Sequence, residues 1–206
     1  MVTYVQRVAA SALLIGMTLA AAPAADQARP WHPVRFPISY WYSPPHALLD
    51  DARVADIASL GFTVMGNLSA PTVKRTREIL DLAARHGLKA LVCDPRLTLF
   101  LPDRDGWEDT IDGIIADYAD HPALYGYFLK DEPNRAQFPL LAKTEDALSA
   151  GDSSHLPFIN LLPTYADTHQ LGTPSYWDHL EEFLTTVTPR VISYDHYALL
   201  KNRLRS

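Results

Sequence analysis

The residues best equipped for chemistry are an acidic pair, Asp131-Glu132, placed where an apolar run meets Pro133 and Asn134. A carboxyl at the end of a strand, inside an aromatic-lined cleft, loses hydration. Its pKa rises, and it can keep a proton near neutral pH for delivery to a leaving oxygen. Other apolar runs end in similar clusters. Trp41 stands between Tyr40 and Tyr42, Asn67 closes a second run, and Asp94 and Arg96 follow a third. Asn160 precedes Thr164 and Tyr165, and Asp195, His196 and Tyr197 close the last. Aromatic faces beside amides and carboxylates suit a sugar, whose ring offers apolar faces for stacking and whose hydroxyls need hydrogen-bond partners. Trp41, Asn67, Asp94, Asp131, Asn160, Tyr165, His196 and Tyr197 are therefore the expected carbohydrate-binding residues.

Each of these positions also has a plainer use. Asp94 and Arg96 flank Pro95 and fit a structural ion pair as well as a ligand clamp. His196 suits orienting a neighbour better than catalysis. Asp195 and His196 point in opposite directions along a strand, so no metal site is expected there. The single cysteine, Cys93, reads as a small buried apolar residue. Ser39, Ser43 and Ser193 lack the glycines of a nucleophile elbow, which argues against serine-based hydrolysis.

Six apolar or aromatic runs position these groups: 38–42, 62–68, 89–94, 124–131, 157–162 and 191–197. Segments of helical period separate them, the pattern of βα units around a parallel sheet. Trp107, Ile111, Ile114, Ile115 and Tyr118 form one helical stripe. Phe138, Leu141 and Leu148 mark another, and Tyr176, Leu180, Phe183, Leu184 and Val187 a third. Gly61, Gly87 and Gly151 are expected to stop helices, and Pro71 to stand in a first turn. Tyr40 and Tyr42 are expected to share one face of the first run. Ser43-Pro44-Pro45 stands where a dinucleotide fold needs a glycine-rich turn, so no cofactor is expected. In a parallel barrel the reactive groups lie at the C-terminal strand ends, where this chain is most polar.

The segment 120–134, DHPALYGYFLKDEPN, resembles the fourth strand of the clan A glycoside hydrolases, in which an Asn-Glu pair follows an HPA-x-x-G lead-in. Asp131 departs from the usual Asn. The ending Tyr194-Asp195-His196-Tyr197 is similar to the sixth strand of the same clan. The resemblance implies an α/β fold of the (β/α)8 TIM-barrel type, with Glu132 as general acid/base. That clan's nucleophile is a glutamate on the seventh strand. The chain carries about six βα units, so the barrel is expected to be incomplete, lacking its last two. A substitute carboxylate would be Asp94, Asp131 or Asp195, and strand alternation makes Asp131 a poor partner for its neighbour Glu132. Hydrolysis of O-glycosidic bonds in an oligo- or polysaccharide is the expected activity. A non-catalytic carbohydrate-binding or degenerate barrel is the alternative.

Composition narrows the remainder. The 206 residues include 18 Lys+Arg against 24 Asp+Glu, a net charge of −6, and 48% are hydrophobic. This fits a globular domain with no basic face for nucleic acid. Arg7 precedes an apolar run at 8–22 and a small-residue site near Ala25, so residues 1–25 read as a signal peptide and residues 26–206 as the partial barrel domain. The mature chain is expected to be secreted or periplasmic, with no membrane contact after cleavage. An unclosed barrel exposes a strand edge through which it can associate.

Overall fold

The computed structural model describes residues 32–197, and the expected signal peptide lies outside the described residues. Five strands form one sheet: β1 (Val64–Leu68), β2 (Lys89–Val92), β3 (Leu124–Asp131), β4 (Leu156–Leu161) and β5 (Ser193–Tyr194). All neighbours pair in parallel, in chain order β1-β2-β3-β4-β5. A doubly wound sheet reverses its strand order; this one runs in a single direction around a curved surface, as a barrel does. The fold is an incomplete (β/α) barrel.

The helices are α1 (Asp51–Ser59), α2 (Val73–Arg85), α3 (Trp107–Tyr118), α4 (Phe138–Gly151), α5 (Thr168–Leu171) and α6 (Tyr176–Thr186). Side-chain caps start three of the long ones: Asp50, Thr72 and Ser175 accept from the amides of Arg53, Arg75 and Asp178. The apolar stripes turn inward as their periods require. Ile111, Ile114 and Tyr118 of α3 are buried, as are Phe138, Leu141 and Leu148 of α4. They join the outward-facing strand residues Met65, Val92, Tyr127 and Ile159 in one core between sheet and helices.

Four local expectations are corrected. The run at 38–42 supplies a single parallel bridge, Ser39 to Val64, instead of a strand. Pro37 has no amide hydrogen, and the chain bends at Trp41 and Tyr42 ahead of Pro44, which ends the ladder. Tyr40 and Tyr42 consequently do not share a face. Tyr40 packs edge-on to Phe62 with ring centroids 5.3 Å apart, while Tyr42 is exposed. Pro71 precedes the cap Thr72 and so stands before the helix. In α6, His179 replaces Leu184 on the buried face: it packs on Phe138, and its Nδ1 lies 3.0 Å from the Leu171 carbonyl oxygen.

The glycines divide by purpose. Gly61 and Gly87 have φ of 85° and 68° just past α1 and α2, the left-handed stop expected of them. Gly151 is instead the last residue of α4, where a Cβ would stand 2.5 Å from the Ile115 side chain of α3. A Cβ on Gly126, in β3, would meet the Leu156 carbonyl oxygen of β4 at 2.0 Å. Backbone cannot yield there as a side chain can. Gly126→Ala is expected to cost about 1–3 kcal/mol, read as a lower urea midpoint. An unchanged midpoint would show that β3 and β4 separate freely at this level.

Among the described residues no helix is long and apolar enough to cross a membrane. Apolar side chains remain exposed at both sheet edges: Phe36 and Ile38 before β1, and Ile192 and Tyr194 at β5.

Candidate active site

Strand register builds the site. Asp131 of β3 pairs with Asn160 of β4, and Asn160 pairs with Ser193 of β5, so three adjacent strands present polar residues at one level. Ser193 donates from its hydroxyl to Asn160 Oδ1 at 2.8 Å. That fixes the amide with Nδ2 forward, donating to Asp195 Oδ1 at 2.8 Å and Asp131 Oδ1 at 3.2 Å. Asn160 is 2% exposed, so this orientation cannot be exchanged for bonds to water. Tyr197 donates from its hydroxyl to Asp195 Oδ2 at 3.0 Å. That bond and the Asp195 charge push the Tyr197 hydroxyl up to about 12.

Glu132 follows β3 directly, with φ of 47°, and its amide donates to the Asn160 carbonyl oxygen at 2.7 Å. A left-handed glutamate costs free energy that the surrounding hydrogen bonds must offset, and such residues cluster at functional positions. Burial first, then a hydrogen bond with Asp195 and the charges of Asp131 and Asp195, hold the Glu132 carboxyl above its ordinary value, with Lys130 opposing. Asn67 is also left-handed, at φ of 44°, where the β1–β2 register shifts between Met65 and Leu68. The bulge turns it inward.

A cavity of about 500 Å³ opens on the concave face of the sheet. Trp41, Asn67, Phe158, Asn160, Tyr194 and Asp195 contribute to its lining. Trp41 packs edge-on to Phe128, with centroids 5.8 Å apart, and Phe128 leads to Phe158 at 6.0 Å. Glu132 and Asp131 do not line the cavity; they adjoin it through Asn160 and Asp195.

Three expected site residues are placed elsewhere. Asp94 faces the helical layer, because alternation along β2 sends Ala90, Val92 and Asp94 outward and Leu91 toward the cavity. There it accepts from Arg96 Nε and Nη2 at 2.9 and 2.8 Å and from the Tyr118 hydroxyl at 2.8 Å. Burial raises the Asp94 carboxyl, but these bonds outweigh it and hold the group below its ordinary value. Of the two uses open to Asp94 and Arg96, the structure shows the ion pair. Tyr165 is half-buried on the turn after β4, outside the cavity lining, and His196 is exposed beyond β5. Asn134 caps the short helical turn Arg135–Gln137 and donates to the His169 and Gln170 carbonyls.

Cys93 is half-buried, and burial followed by the Asp94 charge raises its thiol, which makes it a poor nucleophile. Among the described residues no group of three or more His, Cys, Asp and Glu side chains is arranged to hold a metal ion.

Neither the comparison with protein families nor that with curated proteins returns a match. Solved structures do. The fold is that of the TIM-barrel glycoside hydrolases. A glycosyl hydrolase family 2 member from Bacteroides cellulosilyticus superposes with a TM-score of 0.51 at 13% identity, over 77% of this chain and 21% of that one. A β-1,4-mannanase from the sea hare Aplysia kurodai gives 0.47 at 11% identity, over 68% of this chain and 59% of that one. A β-mannanase from the blue mussel Mytilus edulis gives 0.49 at 13%, over 70% and 60%. The chain thus spans about 60% of either mannanase. At these identities the likeness is one of fold, and no family within the barrel enzymes is assigned.

Proposed function

We propose that this chain carries the acid/base side of an exported glycoside hydrolase site that cleaves O-glycosidic bonds of an oligo- or polysaccharide. The observation that carries the reading is Glu132, left-handed at the end of β3, its carboxyl raised by burial and by Asp195 beside an aromatic-lined cavity. A protonated Glu132 gives its proton to the glycosidic oxygen as the bond to the anomeric carbon breaks, and the bonding electrons leave with that oxygen. The resulting carboxylate then accepts a proton from the incoming water. Trp41 and Phe158 supply ring faces for the sugar, and Asn67 and Asn160 supply amides for its hydroxyls. The apolar run at 8–22 supports export.

A second reading, carbohydrate binding without turnover, draws on the aromatic and amide lining of the cavity, which serves binding whether or not a nucleophile faces Glu132.

The test is to titrate the mature protein with neutral oligosaccharides, following tryptophan fluorescence, and to follow release of reducing ends in the same mixtures. Binding is expected to perturb Trp41, and Trp41→Ala is expected to weaken it about tenfold, the loss of ~1.4 kcal/mol of stacking. Binding with release supports hydrolysis and binding alone supports the second reading. Neither binding nor release across β-linked mannose, glucose, galactose and N-acetylglucosamine oligomers would overturn both.

A further inference from the structure

Exposed aromatic side chains are not spread evenly over the surface. Among the described residues Tyr42, Phe100, Trp177, Tyr194 and Tyr197 all lie at or beyond the C-terminal ends of the strand positions, and only Phe36 lies at the other end. The connections 60–63, 86–88, 119–123 and 152–155 at that other end expose none. Phe100 stands between β2 and α3 and is 62% exposed; Trp177 is the second residue of α6, after β4, and is 73% exposed. In the sheet β3 lies between β2 and β4, so these two rings flank the strand that ends in Asp131 and leads to Glu132.

Both rings are carried on anchored backbone. Leu101, next to Phe100, is buried, its amide donates to the Thr98 carbonyl oxygen at 3.0 Å, and the helical turn Leu101–Asp103 packs on α3 and α4. Trp177 sits in the first turn of α6, where the Ser175 hydroxyl accepts from the Asp178 amide at 3.2 Å. Asn134 donates to the His169 and Gln170 carbonyls and Arg135 pairs with Glu182 of α6, which ties the segment after Glu132 to the elements around Trp177. A large ring held out to water on a rigid support gains no packing in return, and such positions mark surfaces that meet a ligand. A flat apolar face suits the C–H face of a sugar ring. Asp131, Glu132 and Asp195 share this end of the sheet and repel an anionic polymer.

We propose that Phe100 and Trp177 are outlying sugar platforms, and that the ligand is a neutral polysaccharide long enough to lie across the strand ends, stacked on one ring at each side of Glu132. A short oligosaccharide fills the cavity beside Trp41 alone. A polymer gains two further contacts, and Glu132 then meets an internal linkage instead of a chain end. Cleavage at an internal linkage rests on Glu132 being the acid, whereas the stacking does not.

Native gels cast with soluble galactomannan, hydroxyethylcellulose or glycol chitin measure polymer affinity from the retardation of the mature protein. Tryptophan fluorescence measures affinity for the matching disaccharides in solution. At least one polymer is expected to retard the wild type. Phe100→Ala and Trp177→Ala are each expected to weaken that polymer about fivefold, and the double variant about 25-fold because the rings act at separate places. Disaccharide affinity should not change in any of them, and Phe100→Tyr and Trp177→Phe, which keep a ring, should retain most of the retardation. Where an alanine variant fails to fold, leucine at the same position, apolar but without a ring, takes its place.

Equal retardation of wild type and double variant would overturn the proposal. So would an equal loss on polymer and disaccharide, which assigns the two rings to the fold. A disaccharide bound with no polymer retarded removes the platforms and leaves the cavity as a sugar site. A polymer held through the two rings with no disaccharide bound upholds the platforms and takes the sugar out of the cavity, and binding of neither overturns both.

Discussion

Glu132→Gln is expected to lower hydrolysis of unactivated glycosides by about 10²–10⁴-fold while leaving oligosaccharide affinity nearly unchanged. Glutamine matches glutamate in shape and can donate through its amide to the Asp195 carboxylate, so the left-handed backbone and the Asn160 network have no reason to shift. What it cannot do is protonate a leaving oxygen. The loss must therefore depend on the leaving group: a nitrophenolate, stable without a proton, should depart from the variant far faster than a sugar alkoxide.

The pH dependence gives a second signature. A carboxyl held above its ordinary value keeps its proton further toward neutrality, so the wild-type rate should fall on the basic side as Glu132 ionises, and Glu132→Gln should lose that limb. Linkage sets the stability effect with the same sign. A raised carboxyl favours the folded state below its unfolded value, and that contribution is lost as the pH rises through the folded value. The glutamine variant should accordingly gain stability on wild type as the solution becomes basic. Equal turnover of both proteins on unactivated substrates would remove Glu132 from the chemistry.

How far the sequence disclosed this arrangement depended on whether a local period or a pairing decided the outcome. Strands β1 to β4 and their helices follow from alternation and amphipathic stripes, because burial of those faces is what forms them. The run at 38–42 has the composition of a strand but not the room to extend. Pro37 and Pro44 bracket it, and the hydrogen bonds that would extend it past Ser39 do not form. Asp94 stands at a strand end, which admits a ligand clamp or an ion pair until its face is counted. Counting in twos from the buried Ala90 and Val92 sends it to Tyr118 of α3, a partner 24 residues away.

Asp195 is legible as a polar strand end and as a candidate second carboxylate. Its bond to Asn160 comes from the pairing of Asn160 with both Asp131 and Ser193, a register between strands more than 25 residues apart, of which a single sequence gives little signal. One was within reach: Ser193 and Asp195 are two apart, so whatever face one presents at the strand end, the other continues.

Arg96→Ala should be the most damaging single change outside the site, costing about 3 kcal/mol and lowering the melting temperature by about 6–12 °C. Arg96 gives Asp94 two side-chain bonds and reaches Asp117 Oδ2 at 2.7 Å, which ties the loop after β2 to α3. The Asp94 side chain is 2% exposed, against 35% for Arg96. The penalty therefore comes less from the lost attraction, which solvent weakens on the arginine side, than from a buried carboxylate left with only the Tyr118 hydroxyl and the backbone amide of residue 96. Two consequences separate this account from a simple loss of packing. Adding Asp94→Asn to Arg96→Ala should restore part of the stability, because the uncompensated charge is gone. The difference between wild type and Arg96→Ala should also shrink in acid. Asp94 is held below its ordinary value in the folded protein, so its stabilisation is present above the unfolded carboxylate range and is lost as the pH falls through the folded value. Thermal melts of the three proteins between neutral pH and pH ~3 measure both effects. A double variant no more stable than Arg96→Ala, with a gap to wild type that holds constant with pH, would place the stabilisation in the arginine's packing and not in the buried charge.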